Sequence, residues 1–332
     1  MRRNLDSRHC RSRRQFLRLA AAPGVGWLVG GRASSLAQST ASDKKRELGL
    51  TGKLLIHATR SRLQAQDGLF LFDMKTETLR RILGEDGEVP TTYHPTLSPN
   101  GRTVAYVKMP RPMVFDGVWT LPTEGEQEPR RISEINGFVS WSPDSRQVIV
   151  SGPPRGFGYQ TWLINADGTG RTRLPVPETH VVSRWSADGK WLLTGSAAGR
   201  DRGNVIEIMH PDGTEKRLLA ETRVVADTAS FAPDCRSVLY LQVGVLPFEA
   251  NLWRVDLDGR NRQGLYIKGN GISVSNSFFS PDGKWVAATM INMKERQQER
   301  LLSRWIEILD KDGSFQHRID LPFANYTLFD WR

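Results

Sequence analysis

The feature that most constrains this chain is a six-residue pattern that returns along it. Leu97-Ser98-Pro99-Asn100-Gly101-Arg102 comes back as Trp141-Ser142-Pro143-Asp144-Ser145-Arg146 and as Trp185-Ser186-Ala187-Asp188-Gly189-Lys190. It appears again as Phe231-Ala232-Pro233-Asp234-Cys235-Arg236 and as Phe279-Ser280-Pro281-Asp282-Gly283-Lys284. The leading residues are 44, 44, 46 and 48 positions apart, and a period of this size is the mark of a repeat architecture. Each copy is followed by a β-rich run such as Thr103-Val104-Ala105-Tyr106-Val107, as expected of a strand leaving a tight turn.

A second turn follows in each copy. Trp119, Trp162 and Trp253 each stand six residues before a glycine, at Gly125, Gly168 and Gly259, and Asp212-Gly213 and Asp312-Gly313 mark the same turn elsewhere. Asx-Gly predicts a two-residue hairpin of type I′, with positive φ at both central residues. Two hairpin turns and four short strands in about 40 to 50 residues make one propeller blade. The second half of a blade, Lys53 to His57 and Leu69 to Asp73, opens the repeat region without a leading motif, and Leu328 to Arg332 supplies the missing first half. The expected fold is therefore all-β: a six-bladed β-propeller with four antiparallel strands per blade, closed by N- and C-terminal strands that share one blade. Closure of this kind leaves no open sheet edge.

An aromatic residue followed by Ser-Pro-Asp-Gly-Lys/Arg resembles the WD40-like (PD40) repeats of TolB-like propellers, found also in the propellers of prolyl-oligopeptidase-type peptidases. The resemblance covers nearly all of residues 52–332 and implies the fold firmly and the role loosely. TolB itself has an α/β domain ahead of its propeller, whereas about a dozen residues separate Gln38 from the first strand here, so contacts made through that domain do not transfer.

The N-terminal segment reads as an address. Ser12-Arg13-Arg14-Gln15-Phe16-Leu17-Arg18 resembles the twin-arginine export motif, a mildly apolar stretch from Leu19 to Gly31 follows, and Ser35-Leu36-Ala37 offers a cleavage site. The expected organisation is a signal peptide over 1–37, a linker over 38–51 and a propeller over 52–332, in an exported, periplasmic protein. Eight arginines against Asp6 give this segment +7, leaving +3 of the formal +10 for the rest. The basic character thus belongs to the address, which removes the case for a nucleic-acid partner. No other apolar run reaches the roughly 18 residues of a membrane span. Of the two cysteines, Cys10 lies in the segment expected to be removed, and Cys235 occupies a turn position where glycine is usual.

If each blade runs outward from the channel as strands A to D, the A-B and C-D turns share one face and the B-C and D-A loops the other. The second face, with loops of varied length such as Gly152 to Tyr159 and Met293 to Ser303, is the expected binding face. The Lys294 to Arg300 run there could form a short helix with i,i+4 pairs. Polar residues just ahead of each leading residue are the candidates for the channel mouth: Tyr93, His94, Asn136, His180, Arg184, Asp227, Asn276 and Tyr326. His94, His180 and Asp227 are placed where they could converge.

No Gly-x-Ser-x-Gly elbow is present, and Ser280-Pro281-Asp282-Gly283-Lys284-Trp285 only mimics a sialidase box. The histidines show no metal spacing, and Asp256-Leu257-Asp258-Gly259 lacks the further ligands of a calcium loop. No catalytic residue, metal or cofactor is assigned. The expected function is non-catalytic binding of an envelope protein or peptide by a monomer without a transmembrane segment. The alternative is a channel-site lyase or glycosidase acting on a saccharide.

Overall fold

The computed structural model describes residues 48–58, 68–84, 91–110, 114–125, 127–153, 158–196, 204–222, 228–243, 249–267, 270–298, 302–323 and 325–332. The expected signal peptide, most of the expected linker and Asp227 lie outside these residues. Among the described residues twenty-four strands form six four-stranded antiparallel sheets. Five of these blades take four strands consecutive in sequence, whose inner strands are Thr91–Leu97, Phe138–Trp141, His180–Trp185, Ser230–Phe231 and Ile272–Phe279. The first blade has Tyr326–Trp331 as its inner strand, paired antiparallel with Lys53–Ala58, the next two strands being Gly68–Asp73 and Leu79–Leu83. The six blades and the closure by both termini are as the repeat predicts.

Six buried clusters hold the ring together, one at each interface between neighbouring blades. Leu55, Leu69 and Leu71 of the first blade meet Leu97, Val104 and Tyr106 of the second, and Ile56, Phe70 and Trp331 meet Ile306 and Ile308 of the sixth. The remaining four interfaces are built alike. Each blade is therefore apolar on both faces, which is why its second strand reads as a continuous apolar run such as Val148-Ile149-Val150 rather than an alternating one.

The A-B turns show why the motif has its residues. Ser142 Oγ donates to Asp144 Oδ1 at 2.6 Å and accepts from the Gln147 amide at 2.9 Å, while Asp144 Oδ1 also accepts from the Arg146 amide at 3.1 Å. Ser98, Ser186 and Ser280 make the same bonds in their own blades. The residue after the Asx has positive φ: Gly101, Gly189 and Gly283 in three copies, and Ser145 (62°) and Cys235 (54°) in two. Cys235 thus takes a glycine position, as expected.

The C-D turns differ from expectation. Gly168, Gly213, Gly259 and Gly313 have positive φ, but Asp167, Asp212, Asp258 and Asp312 do not. The Gly168 amide donates to Asn165 O and the Asn165 amide to Thr169 O, which closes a three-residue loop, a type I turn followed by a left-handed glycine. The aspartate side chain accounts for the difference, because Asp167 Oδ1 accepts from the Thr169 amide (2.9 Å) and hydroxyl (2.6 Å), and this capping needs no left-handed aspartate. The Lys294 run also differs: Met293–Gln298 is a 3-10 helix, in which Glu295 accepts from Asn292 Nδ2 and from the amide and hydroxyl of Ser303. With three residues per turn, i and i+4 do not stack.

Candidate functional site

The inner strands bring the channel-lining side chains together, and bulges aim them. Register shifts fall between Tyr93 and Thr96, between Val182 and Arg184, and between Val274 and Ser277, so extra residues turn toward the axis. His94 sits in one such bulge at φ 48°, ahead of Pro95, in a conformation that proline disfavours for the residue before it.

His94, Arg184 and Asn276, from three blades, line a small pocket of about 30 Å³ with Phe138, Ser183 and Phe329. The His94 ring lies between Tyr93, which it meets edge-on (3.8 Å between centroids), and Phe138, which it meets at a tilt (4.3 Å), and Tyr93 reaches out to Phe115 at 5.9 Å. Burial, with the charge of Arg184 adding to it, pulls the His94 pKa down to about 3, so its imidazole is neutral at physiological pH.

The other candidates are engaged elsewhere. Asn136 Oδ1 accepts from the Gly117 amide at 2.7 Å and ties two neighbouring loops. Tyr326 is 1% exposed in the core between the first and sixth blades, where burial raises the phenol above its usual range. His180 lies within its own blade: its Nε2 is 2.7 Å from Glu207 Oε2 and 3.0 Å from Lys216 Nζ, and its Nδ1 is 2.8 Å from Thr179 Oγ1. Of the proposed trio His94, His180 and Asp227, then, His180 bonds outward along its blade, and Asp227 is outside the described residues.

A larger cavity, about 220 Å³, opens on the face of the A-B turns. Its rim is formed by Pro99, Pro143, Ala187, Pro233 and Pro281, the second residues after the leading positions, and its walls by Trp141, Trp185, Phe231, Phe279 and Trp331. Ser186 and Ser280 of this wall are already bonded within their turns, so the rim presents mainly proline rings and aromatic edges. Arg184 and Asp330 lie in its lining, with Arg332 beside them. Variation in loop length points to the opposite face and misses this funnel. A different alignment finds it: the residue before each leading position is Thr96, Ser140, Arg184, Ser230, Phe278 and Asp330, a ring in which two residues are charged and opposite in sign.

This is a closed six-bladed β-propeller with a funnel at one mouth of its channel. Among solved structures it is similar to a protein described as a TolB from Agrobacterium tumefaciens (TM-score 0.59, 17% identity, 84% of this chain and 88% of that one). It is similar also to TolB from Acinetobacter baumannii (TM-score 0.63, 14% identity, 91% of this chain and 73% of that one). A chain of a nidogen/laminin complex is comparable, at TM-score 0.59 and 13% identity, with 84% and 97% covered. No family model matches the sequence, and no curated protein matches it either. Among the described residues no helix is long and apolar enough to cross a membrane.

Proposed function

We propose that this chain is an exported, TolB-like envelope protein that binds a protein or peptide partner at a mouth of its channel and carries out no chemistry there. The observation that carries this reading is the funnel, whose rim of prolines and aromatic edges suits an inserted apolar or aromatic side chain, the kind of anchor on which protein interfaces depend. A volume of about 220 Å³ accommodates one or two side chains rather than an extended saccharide. The likeness to TolB propellers and the twin-arginine motif support an envelope location, in which the propeller acts as a monomer after cleavage behind Ala37.

The second mouth contributes to the same reading. Tyr93 is 45% exposed beside Phe115 (38%), an aromatic pair that suits the edge of a docked partner, with His94 and Asn276 beneath it.

A photo-crosslinking residue placed at Ala187 on the funnel rim, at Tyr93 on the loop face or at Arg217 on an outer strand tests this in cells. A discrete protein adduct is expected from Ala187 or Tyr93 and none from Arg217. No adduct from either mouth, together with saturable thermal stabilisation of the mature protein by an oligosaccharide, would establish the saccharide-active alternative instead.

A further inference from the structure

One side chain crosses the channel. Arg184 leaves the inner strand of the fourth blade, and its Nη2 donates to Phe329 O of the first blade at 3.0 Å. Its Nη1 donates to Thr96 Oγ1 of the second blade at 3.1 Å and lies 3.8 Å from Asp330 Oδ2. The guanidinium carbon stands 5.1 Å from the centroid of Phe278 in the sixth blade. The side chain is 12% exposed and that of Asp330 is 2% exposed. Asp330 is held in turn by Thr96 Oγ1 (3.0 Å) and by the amides of Leu97 and Trp331 (3.1 Å each).

The closing strand has a particular need for such a tie. In the other five blades the inner strand continues into the second through a short covalent turn, whereas Tyr326–Trp331 and Lys53–Ala58 come from opposite ends of the chain and meet through hydrogen bonds and packing alone. Fraying at this junction costs no turn, so the strand is the natural weak point of the ring. Phe329, whose carbonyl takes the Arg184 bond, lies at the register shift in the pairing of these two strands, between Leu328 and Asp330.

We propose that Arg184 is a latch that locks the C-terminal strand into the ring from the opposite side of the channel. Its fork holds one backbone carbonyl and one hydroxyl while its charge faces the Asp330 carboxylate, and a planar guanidinium suits such a multi-point tie. The same side chain lines both the funnel and the small pocket by His94, so it also forms the partition between the two mouths.

Hydrogen exchange of the mature protein, read segment by segment by mass spectrometry, tests the latch. In Arg184→Met the amides of Tyr326–Trp331 and Lys53–Ala58 are expected to exchange about tenfold faster, while those of Ser237–Val243 in the fifth blade keep their wild-type rates. Unchanged exchange in the closing pair, or equal acceleration in every blade, would overturn the proposal. Should Arg184→Met fail to fold, Thr96→Val removes one acceptor and is expected to accelerate the same two strands about threefold, and no local effect there would overturn it equally.

Discussion

The His180 ring meets the Glu207 carboxylate at 2.7 Å, and Glu207 stands at the position that Trp119, Trp162 and Trp253 occupy in three other blades. All four lie six residues before the glycine of a C-D turn. With no indole there, the fourth blade fills the interval with His180 and with Lys216, whose Nζ lies 3.1 Å from the same carboxylate oxygen. Burial opposes ionisation of Glu207, but the bonds from His180 and Lys216 and the charge of Lys216 outweigh it and hold the carboxyl below its usual range. Glu207→Ala is expected to cost about 3 kcal/mol, because it leaves a buried ring and a cation without their acceptor. In a double-mutant cycle with His180→Ala, followed by urea unfolding, the coupling is expected to exceed about 1 kcal/mol; additive effects would show that the two side chains stabilise independently.

The A-B turns carry a conformational penalty at two positions. Ser145 and Cys235 hold positive φ where Gly101, Gly189 and Gly283 hold it elsewhere, and the Cys235 thiol lies 3.8 Å from Pro233 O and close to Asp188 of the neighbouring blade, weak contacts that offset little of the penalty. Cys235→Gly is expected to stabilise the protein by about 0.5–1 kcal/mol, since the left-handed conformation costs an ordinary residue roughly 1 kcal/mol. Gly283→Ala is expected to lower stability by a similar amount. Thermal unfolding of the two variants checks both signs.

The blade number, the closure and the A-B turn were legible because each repeats, and a physical requirement met five times stands out from noise. The C-D turn type was not, because Asp-Gly serves both a type I′ turn and a type I turn with a left-handed glycine, and the deciding bond, from the Thr169 amide to Asp167, depends on a residue outside the dipeptide. His180 looked like a channel residue because it stands just ahead of a repeat motif on an inner strand, but its partner Glu207 lies two strands away in the same sheet, a pairing that spacing along the chain does not reveal. His94, Arg184 and Asn276 did come together, since bulges in their strands turn them toward the axis.

Acid sensitivity follows from the buried imidazoles. His57, tilted against Phe329 with 6.2 Å between ring centroids, has its pKa lowered by burial to about 4, and His94 is lowered further. A folded pKa below the unfolded value of about 6.5 means that the unfolded chain binds protons first, so their contribution is complete above pH 6.5 and is lost as pH falls toward 4 and 3. The melting temperature is expected to fall over this window. His57→Leu is expected to remove about 2–3 kcal/mol of that acid-induced loss, read as a flatter profile of stability against pH.

The turn aspartates act at lower pH. The hydroxyl of Ser142 and the Arg146 amide hold Asp144 below its usual range, and Asp167 and Asp212 are lowered in the same way by Thr169 and Thr214. Depressed carboxylate values stabilise the fold above about pH 4 and cease to do so as pH falls through the folded-state values. Ser142→Ala is expected to cost about 1 kcal/mol near neutrality, where it removes two hydrogen bonds. It is expected to cost less as pH falls through the folded-state value of Asp144, and a constant cost across the acid range in denaturant titrations would exclude the link to the carboxylate.

Closure by the last strand should be separable from the rest of the fold. Trp331 is 1% exposed, its indole N–H donates to Thr51 O at 2.8 Å, and Leu328 beside it is fully buried. Trp331→Ala therefore creates a cavity where the first and sixth blades meet, with an expected cost of about 3–5 kcal/mol. Removing 326–332 altogether leaves Lys53–Ala58 as an open edge, whose unpaired amides invite a strand from another molecule. The truncated chain is expected to self-associate on size-exclusion chromatography. A synthetic peptide of residues 322–332 added in trans is expected to restore the monomer, because it returns both the backbone ladder and the Trp331 anchor. The same peptide carrying Trp331→Ala should restore it poorly, and equal rescue by both would mean that backbone pairing alone closes the ring.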